Sequence, residues 1–525
     1  MVNKSNECFD NIFCASSVRS YLLTQIPMTQ AINPCFQIIR ISKEKGSPAA
    51  YYQLSKKIEN LISEGFLKSG DELPSSRVLS SILNLSRTTV TQAYKRLLEE
   101  GWIFSQKGRG CFVSECSIDL DLHKSSFATL SGNIKKPKLP VKAEIAKQAL
   151  QFPVQKEVPF ALIAPDMESL PGKDWTTIVA RVSKSPWMHN AYAEPGGYRP
   201  FKKVIADLLR RSRGINCSGS QVIITSGVQE DLYLALQALF SEGSKIAVED
   251  PGFRPHRDLV EFLGHCPIPI PVNENGISIN QLSSDKELDA VIVTPSFQYP
   301  TGHLMSLERK LELIDWANSC GKWILEDGYD TELFTADDPN PAIASLDQTG
   351  STIYMGSFTK TIYPGFNMGY IVLPEQLIPV VEGIKMLTLR HSSEVHSVIL
   401  TEFIEGGFYE AHIRRLKRMY QKRRETSVHC IQSLLSQFGS LKANTGGTHL
   451  TFIFKPELKI NDVELNLYLR QNYHLESRPL SPCYVRDKPQ SGLILGYAHF
   501  SEQILTDSYR RLRDGITNFL KRAYL

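Results

Sequence analysis

Between Tyr51 and Glu64, apolar side chains recur at Leu54, Ile58, Leu61 and Ile62, the i, i+4, i+7, i+8 spacing of one helix face. A turn through Ser69-Gly70-Asp71 follows. Pro74-Ser75-Ser76 then offers a capped start to a second helix whose Leu79, Ile82 and Leu83 face inward. Asn84 and Leu85 close that helix, and Ser86 caps a third. Val90, Ala93, Tyr94, Leu97 and Leu98 form the third helix's buried face, with Arg87, Thr88, Thr89, Gln92, Lys95 and Arg96 on the polar side. The runs Trp102–Ser105 and Cys111–Val113 predict a hairpin around Gln106-Lys107-Gly108-Arg109-Gly110. Past residue 158 the pattern changes. Short β-rich runs at 222–224, 246–248, 291–293, 323–325 and 370–372 alternate with helical stretches, which predicts a mostly parallel sheet in an α/β unit.

This pattern divides the 525 residues into four segments. Residues 1–48 form an N-terminal extension without clear periodicity, read as an arm or a small added element. Residues 49–114 are a helical unit ending in the hairpin, 115–157 a linker rich in Lys, Ser and Pro, and 158–525 the α/β unit. A chain of this length exceeds one ordinary core. The composition, 42% apolar and 22% charged, is that of a globular protein. No apolar run approaches the roughly 18 to 20 residues that span a bilayer, so no membrane partner is expected. Met1–Asp10 lacks an apolar signal core, and the ten cysteines show no Cys-x-x-Cys pair. Both features point to a reducing cytoplasm, with neither a zinc site nor a disulfide frame.

The net charge of +4 is too small to argue for nucleic acid by itself, but its distribution is informative. Residues 51–113 hold nine basic and six acidic side chains. The first turn of the third helix presents hydroxyls and a guanidinium, the groups that contact phosphates and base edges. A glycine-flanked tip with Lys107 and Arg109 can approach a groove closely. The segments Gly70-Asp71-Glu72-Leu73-Pro74-Ser75-Ser76-Arg77, Leu85-Ser86-Arg87-Thr88-Thr89-Val90 and Tyr94-Lys95-Arg96-Leu97-Leu98-Glu99-Glu100-Gly101-Trp102 closely resemble the GntR winged helix-turn-helix. The resemblance covers the whole unit, including Gly108-Arg109-Gly110. It implies operator DNA as a partner and Arg77, Arg87, Thr88, Thr89 and Gly108 as contacts, with Ser86 and Arg109 beside them.

Polar motifs follow the β-rich runs of the large unit, where ligands gather in such sheets. They are Thr225-Ser226-Gly227-Val228-Gln229, Glu249-Asp250-Pro251-Gly252-Phe253, Thr294 to Gly302, Glu326-Asp327-Gly328-Tyr329-Asp330 and Gly356-Ser357-Phe358-Thr359-Lys360. A glycine turn opening a helix offers free N–H groups to an anion. Order and spacing resemble fold-type-I aminotransferases over nearly all of 158–525. That resemblance implies pyridoxal 5'-phosphate (PLP) held by Lys360 as the Schiff-base lysine, with Asp327 on the pyridine nitrogen, Tyr329 on the ring hydroxyl and Phe253 stacked on the ring. It places Val228, Gln229, Ser357 and Thr359 in phosphate-binding segments. Tyr192, beside Ala193-Glu194-Pro195-Gly196-Gly197-Tyr198, would reach a neighbouring subunit's cofactor. A winged helix joined to this unit is similar to the MocR subgroup of GntR regulators, which implies a homodimer that senses PLP or a small amino compound.

Some residues depart from the family's pattern. Pro364-Gly365-Phe366 is followed by Asn367 where an Arg is usual, Phe297 stands for a common His, and Gly328 for a common Asp. The C-terminal Arg that pairs with a substrate carboxylate in aminotransferases falls in the apolar run Gly492–Ala498, with Arg478 and Arg390 as substitutes. These departures favour a sensor over a working aminotransferase. A third reading, a cofactor-free dimerisation scaffold, rests on Asn367.

Overall fold

The structure is a computed structural model describing residues 35–36, 39–42, 47–63, 65–106, 108–114, 140–150, 158–162, 172–185, 193–333, 340–442, 447–486 and 489–523. The chain divides into two units, Met1–Pro137 and Lys138–Leu525.

The first unit runs α1 (Ala50–Ser63), β1 (Glu72–Leu73), α2 (Ser76–Leu83), α3 (Arg87–Glu99), β2 (Ile103–Gln106) and β3 (Gly110–Val113). Leu54, Ile58, Leu61 and Ile62 are buried, as their spacing predicts. Ser75 Oγ accepts from Val78 N, and Asn84 in the left-handed region (φ 52°) ends α2. β2 and β3 pair antiparallel, and β1 adds a third strand on β3 that the turn signals of 69–71 concealed. Leu98 differs from expectation: it is 37% exposed, one helical step off the stripe set by Val90, Ala93, Tyr94 and Leu97. The extension is not wholly an arm, because Cys35, Phe36 and Ile39 join the core of this unit. Phe36 is fully buried, worth roughly 1.5–3 kcal/mol of hydrophobic stabilisation.

The second unit opens with α4 (Val141–Ala149), inside the stretch read as linker, which packs on α8 (Arg254–Phe262). Next come α5 (Gly172–Val182), α6 (Arg199–Arg213), β4 (Val222–Thr225), α7 (Val228–Leu239), β5 (Lys245–Asp250), α8, β6 (Cys266–Asn273), β7 (Gly276–Ile277), α9 (Ile279–Ser284) and β8 (Leu288–Val293). The chain continues through α10 (Leu307–Cys320), β9 (Trp323–Asp327), α11 (Ile343–Leu346), β10 (Thr352–Ser357), β11 (Gly369–Val372), α12 (Ile378–Thr388), α13 (Glu394–Glu405) and α14 (Phe408–Leu434). It ends with β12 (Gly439–Leu441), β13 (His449–Phe454), α15 (Asp462–Tyr473), β14 (Arg478–Pro479), β15 (Gly492–Gly496) and α16 (Glu502–Ala523).

Among the described residues the large sheet has the order β4-β11-β10-β9-β8-β5-β6-β7. β10, β9, β8, β5 and β6 run parallel, and the apolar runs of β10, β9, β8 and β5 are buried on both faces by helices. The run 370–372 is a strand but pairs antiparallel with both β10 and β4. A short return from Lys360 to Gly369, without a crossover helix, brings the chain back alongside β10 in the opposite direction. A second, antiparallel sheet has the order β12-β13-β15-β14 and packs against α14, α15 and α16.

Candidate functional sites

In the first unit, Ser86 Oγ accepts from Thr89 N (3.1 Å) and bonds the Thr89 hydroxyl (2.8 Å), so these two residues cap the start of α3. Arg87 and Thr88 stand exposed in the first turn. Arg87 Nε donates to Ser76 Oγ (3.5 Å), which ties the start of α3 to the start of α2, where Arg77 is also exposed. Gly108 (φ 80°) and Arg109 stand at the hairpin tip, and Arg109 N donates to Gln106 O (3.0 Å). Lys107 lies outside the described residues. Arg96, expected on the polar face, is engaged within its own unit. It pairs with Glu100 (2.7 Å) and stacks over the Tyr52 ring (4.1 Å).

In the second unit the ends of β4, β5, β9 and β10 converge on a cavity of about 400 Å³. Leu162, Phe253, Tyr299, Asp327, Tyr329, Lys360 and Arg478 line it, together with the segment 226–230, Ser357, Thr359 and Asn367. Eight of the nine residues expected at a cofactor therefore share one space. Tyr192, the ninth, lies outside the described residues.

Lys360 Nζ donates to Leu162 O (2.9 Å). Burial pushes its ammonium below the usual lysine range, while Asp330 opposes that shift. Asp330, held in the left-handed region (φ 57°), accepts from Thr448 Oγ1 (2.8 Å). Asp327 Oδ1 accepts from Tyr329 N (3.0 Å), and its Oδ2 lies 3.3 Å from His256 Nε2. His256 was not singled out in the sequence. Its signal was its place three residues after Phe253 on α8, where it faces the strand ends with that ring. Phe253 meets the His256 and Tyr299 rings edge-on, with centroids 5.0 and 5.2 Å apart. Tyr329 Oη donates to Phe297 O, and burial raises its phenol well above the ordinary range.

Gly227 caps α7 with φ 133°, and a Cβ on the adjoining Gly369 would lie 2.5 Å from Gly227 Cα. The first turn of α7 and the Ser357–Thr359 turn both line the cavity, and Ser357 Oγ donates to Thr359 Oγ1 (2.7 Å). Asn367 (φ 45°) borders the same cavity.

The departures from the family's pattern have steric partners. A Cβ on Gly328 would come within 2.3 Å of Tyr354 Oη, and one on Gly447 within 2.2 Å of the Phe297 ring. Arg478 lines the cavity. Arg390 does not: it follows the end of α12, exposed and at φ 66°.

A winged helix and an aminotransferase-type α/β unit in one chain define a fused DNA-binding regulator, and the comparisons agree. The family pattern "Bacterial regulatory proteins, gntR family" matches residues 50–113, and "Aminotransferase class I and II" matches 177–505. The "Probable rhizopine catabolism regulatory protein MocR" of Rhizobium meliloti is 30% identical over 465 residues, covering 88% of this chain and 92% of that one. The "HTH-type pyridoxine biosynthesis transcriptional regulator PdxR" of Corynebacterium glutamicum is 28% identical over 475 residues, covering 89% and 95%. Among solved structures, LysN, an alpha-aminoadipate aminotransferase from Thermus thermophilus, superposes with a TM-score of 0.65 at 22% identity, covering 73% of this chain and 98% of that one. An archaeal alanine:glyoxylate aminotransferase gives 0.65 at 20% identity, covering 73% and 96%; these two likenesses concern the fold. The chain belongs to the MocR-type GntR transcription regulators, with a DNA-binding winged helix followed by a fold-type-I aminotransferase-like domain.

Proposed function

We propose that this regulator binds PLP through Lys360 and that the bound ligand sets its affinity for operator DNA. The carrying observation is that Lys360, Asp327, Tyr329, Phe253 and the glycine cradle of 226–229 line one cavity. The residues fit the group. Gly369 lets the Gly227 backbone come close, since a Cβ there would lie 2.5 Å from Gly227 Cα, and a carboxylate, an aromatic ring and an amine line the cavity beside that turn. When bound, PLP supplies an electron-withdrawing ring bearing an amine-reactive aldehyde. Lys360 would bond it covalently, and burial enlarges the neutral, nucleophilic fraction of its amine. Asp327, oriented by Tyr329 N and with His256 Nε2 3.3 Å away, would keep a proton on the ring nitrogen. Tyr329 would meet the ring hydroxyl and Phe253 the ring face. The free N–H groups of Val228 and Gln229 and the hydroxyls of Ser357 and Thr359 would hold the phosphate.

In this reading residues 49–114 read DNA, 158–525 sense the ligand, and the stretch 115–157 joins them, its later part docked on the second unit through α4. Arg77, Arg87, Thr88, Thr89 and Gly108 contact the operator, with Ser86 and Arg109 at their side. The protein works in the cytoplasm as a homodimer. Among the described residues no helix is long and apolar enough to cross a membrane. The exposed apolar run of Met386, Leu387 and Leu389, with Leu387 88% exposed, supports a dimer contact. A ligand acts only through differential affinity for two arrangements of the protein. Arg478 on the cavity wall favours a second ligand, an amino acid that meets the PLP-loaded site.

The test is the visible spectrum of the full chain with added PLP. Wild type should give a Schiff-base band, and Lys360→Ala should not. A wild type with no band would overturn the reading.

A further inference from the structure

The phosphate end of the cavity contains an anion of the chain's own. Glu230, in the first turn of α7, lines the cavity, and its Oε2 accepts from both Ser226 N (2.7 Å) and Ser226 Oγ. Two donors at the mouth of the glycine cradle are thus already spent on a carboxylate. Glu230 Oε1 in turn receives Lys385 Nζ (3.0 Å), from α12; side-chain exposures are 8% and 1%. Lys385 also donates to Ile224 O and to Ser392 Oγ (2.7 Å). An ammonium has three N–H donors, and all three are occupied. The cation behind the cradle is therefore neutralised and saturated by internal partners. Burial pushes the carboxyl of Asp231 beside it above its usual range, which disfavours a second negative charge there. Asn367, on the same cavity, is neutral. Of the other cations on the wall, Lys360 is drawn by the Asp330 carboxylate, and burial together with both Lys360 and Arg478 holds the His449 imidazole below its usual range.

We propose that Glu230 is a built-in electrostatic brake on the phosphate end of this pocket. Its carboxylate, held by Lys385, keeps the cradle neutral, so that a phosphorylated pyridine aldehyde binds exchangeably instead of being retained. The inference rests on the PLP reading and adds its regulatory consequence: occupancy follows the free ligand. A chain with an unopposed cation in the cradle would stay loaded and could not report a concentration.

The test separates phosphate from ring. The full chain is titrated with PLP and, in parallel, with pyridoxal, which lacks the phosphate, both followed by the visible band. Removing one buried unit charge a few ångströms from a dianion should change affinity by about tenfold or more. Glu230→Gln should tighten PLP binding by that factor and leave pyridoxal within about twofold. Lys385→Met should weaken PLP binding and spare pyridoxal. Each substitution strands a buried charge, so a melting curve comes first, and whichever variant folds decides. A PLP-to-pyridoxal affinity ratio unchanged from wild type in a folded variant overturns the brake and leaves the PLP reading standing. No band with either aldehyde in wild type overturns both.

Discussion

Arg478 stands directly opposite Ile494 in the antiparallel β14–β15 ladder, and residues so paired project from the same face of a sheet. The apolar run at 492–496 therefore does not leave the cavity without a guanidinium at that wall. A neighbouring strand supplies one, and it lines the same space as Lys360. An amino acid added to PLP-loaded protein should shift the visible band through its carboxylate contact with Arg478. Arg478→Gln should raise the concentration required by about tenfold, the worth of a hydrogen bond to a charged group. An amine without a carboxylate should be affected far less. Equal losses for both compounds would remove Arg478 from ligand recognition.

Asn367 borders the cavity in the left-handed region, where Asn is tolerated and most other side chains cost roughly 1–2 kcal/mol. Asn367→Arg should therefore move two observables in opposite directions. PLP affinity should rise by about tenfold or more through a charge-assisted contact. Stability without ligand should fall by about 1 kcal/mol. Calorimetric melting with and without PLP measures both. A variant as weak for PLP as wild type would show that the cradle does not reach residue 367.

The contrast between 230, 367 and 478 shows what the sequence could and could not reveal. Local chemistry was legible: the Ser75 and Ser86 caps, the left-handed stop at Asn84, the helix stripe through Leu54 and Ile62, and the motifs after the strands all follow from neighbours within a few positions. The pocket was legible because each of its motifs sits at a strand end, and the parallel sheet gathers those ends. What escaped depends on long chain separations. Lys385 meets Glu230 across 155 residues, and the choice between the two substitutes named in the sequence, Arg478 and Arg390, is made only by the ladder that sets Arg478 beside Ile494. Phe36 escaped for a related reason: a lone aromatic in an aperiodic stretch carries no helix or strand signal, yet it fills the winged-helix core.

Glu249 is a buried carboxyl that the motif reading passed over. It accepts from Thr294 Oγ1 (2.6 Å), Thr294 N (3.3 Å) and Gln298 Nε2 (3.3 Å), yet burial outweighs these bonds and lifts its pKa to about 7. An acid whose folded pKa lies above its unfolded value of 4.5 binds more protons when folded between those two limits. Its contribution to stability is thus present at pH 4.5 and lost as pH rises towards 7. Glu249→Gln keeps an acceptor for Thr294 without the charge. The variant should lose that downward slope and gain about 2–3 kcal/mol over wild type at pH 8 relative to pH 4.5. Denaturant titrations at the two pH values give the comparison, and a parallel pH dependence in both proteins would exclude the assignment.

Arg87 gives the sharpest test of the DNA-reading face. It is exposed in the first turn of α3, and its Nε bond to Ser76 holds the guanidinium stem at the junction of two helix starts. Lys95 is exposed farther along the same helix and pairs loosely with Glu99 (3.7 Å), so it serves as a charge-matched control. Each phosphate contact contributes about 0.9 to the slope of log affinity against log salt. Arg87→Ala should lower operator affinity by roughly tenfold and flatten that slope by about one unit if the contact is to phosphate. If the contact is to a base edge, affinity falls by about 1–3 kcal/mol and discrimination at one operator position relaxes. Lys95→Ala should leave both quantities near wild type. Equal effects of the two substitutions would mean that the first turn of α3 attracts DNA only through general charge, and the recognition role would then have to move to another element of the winged helix.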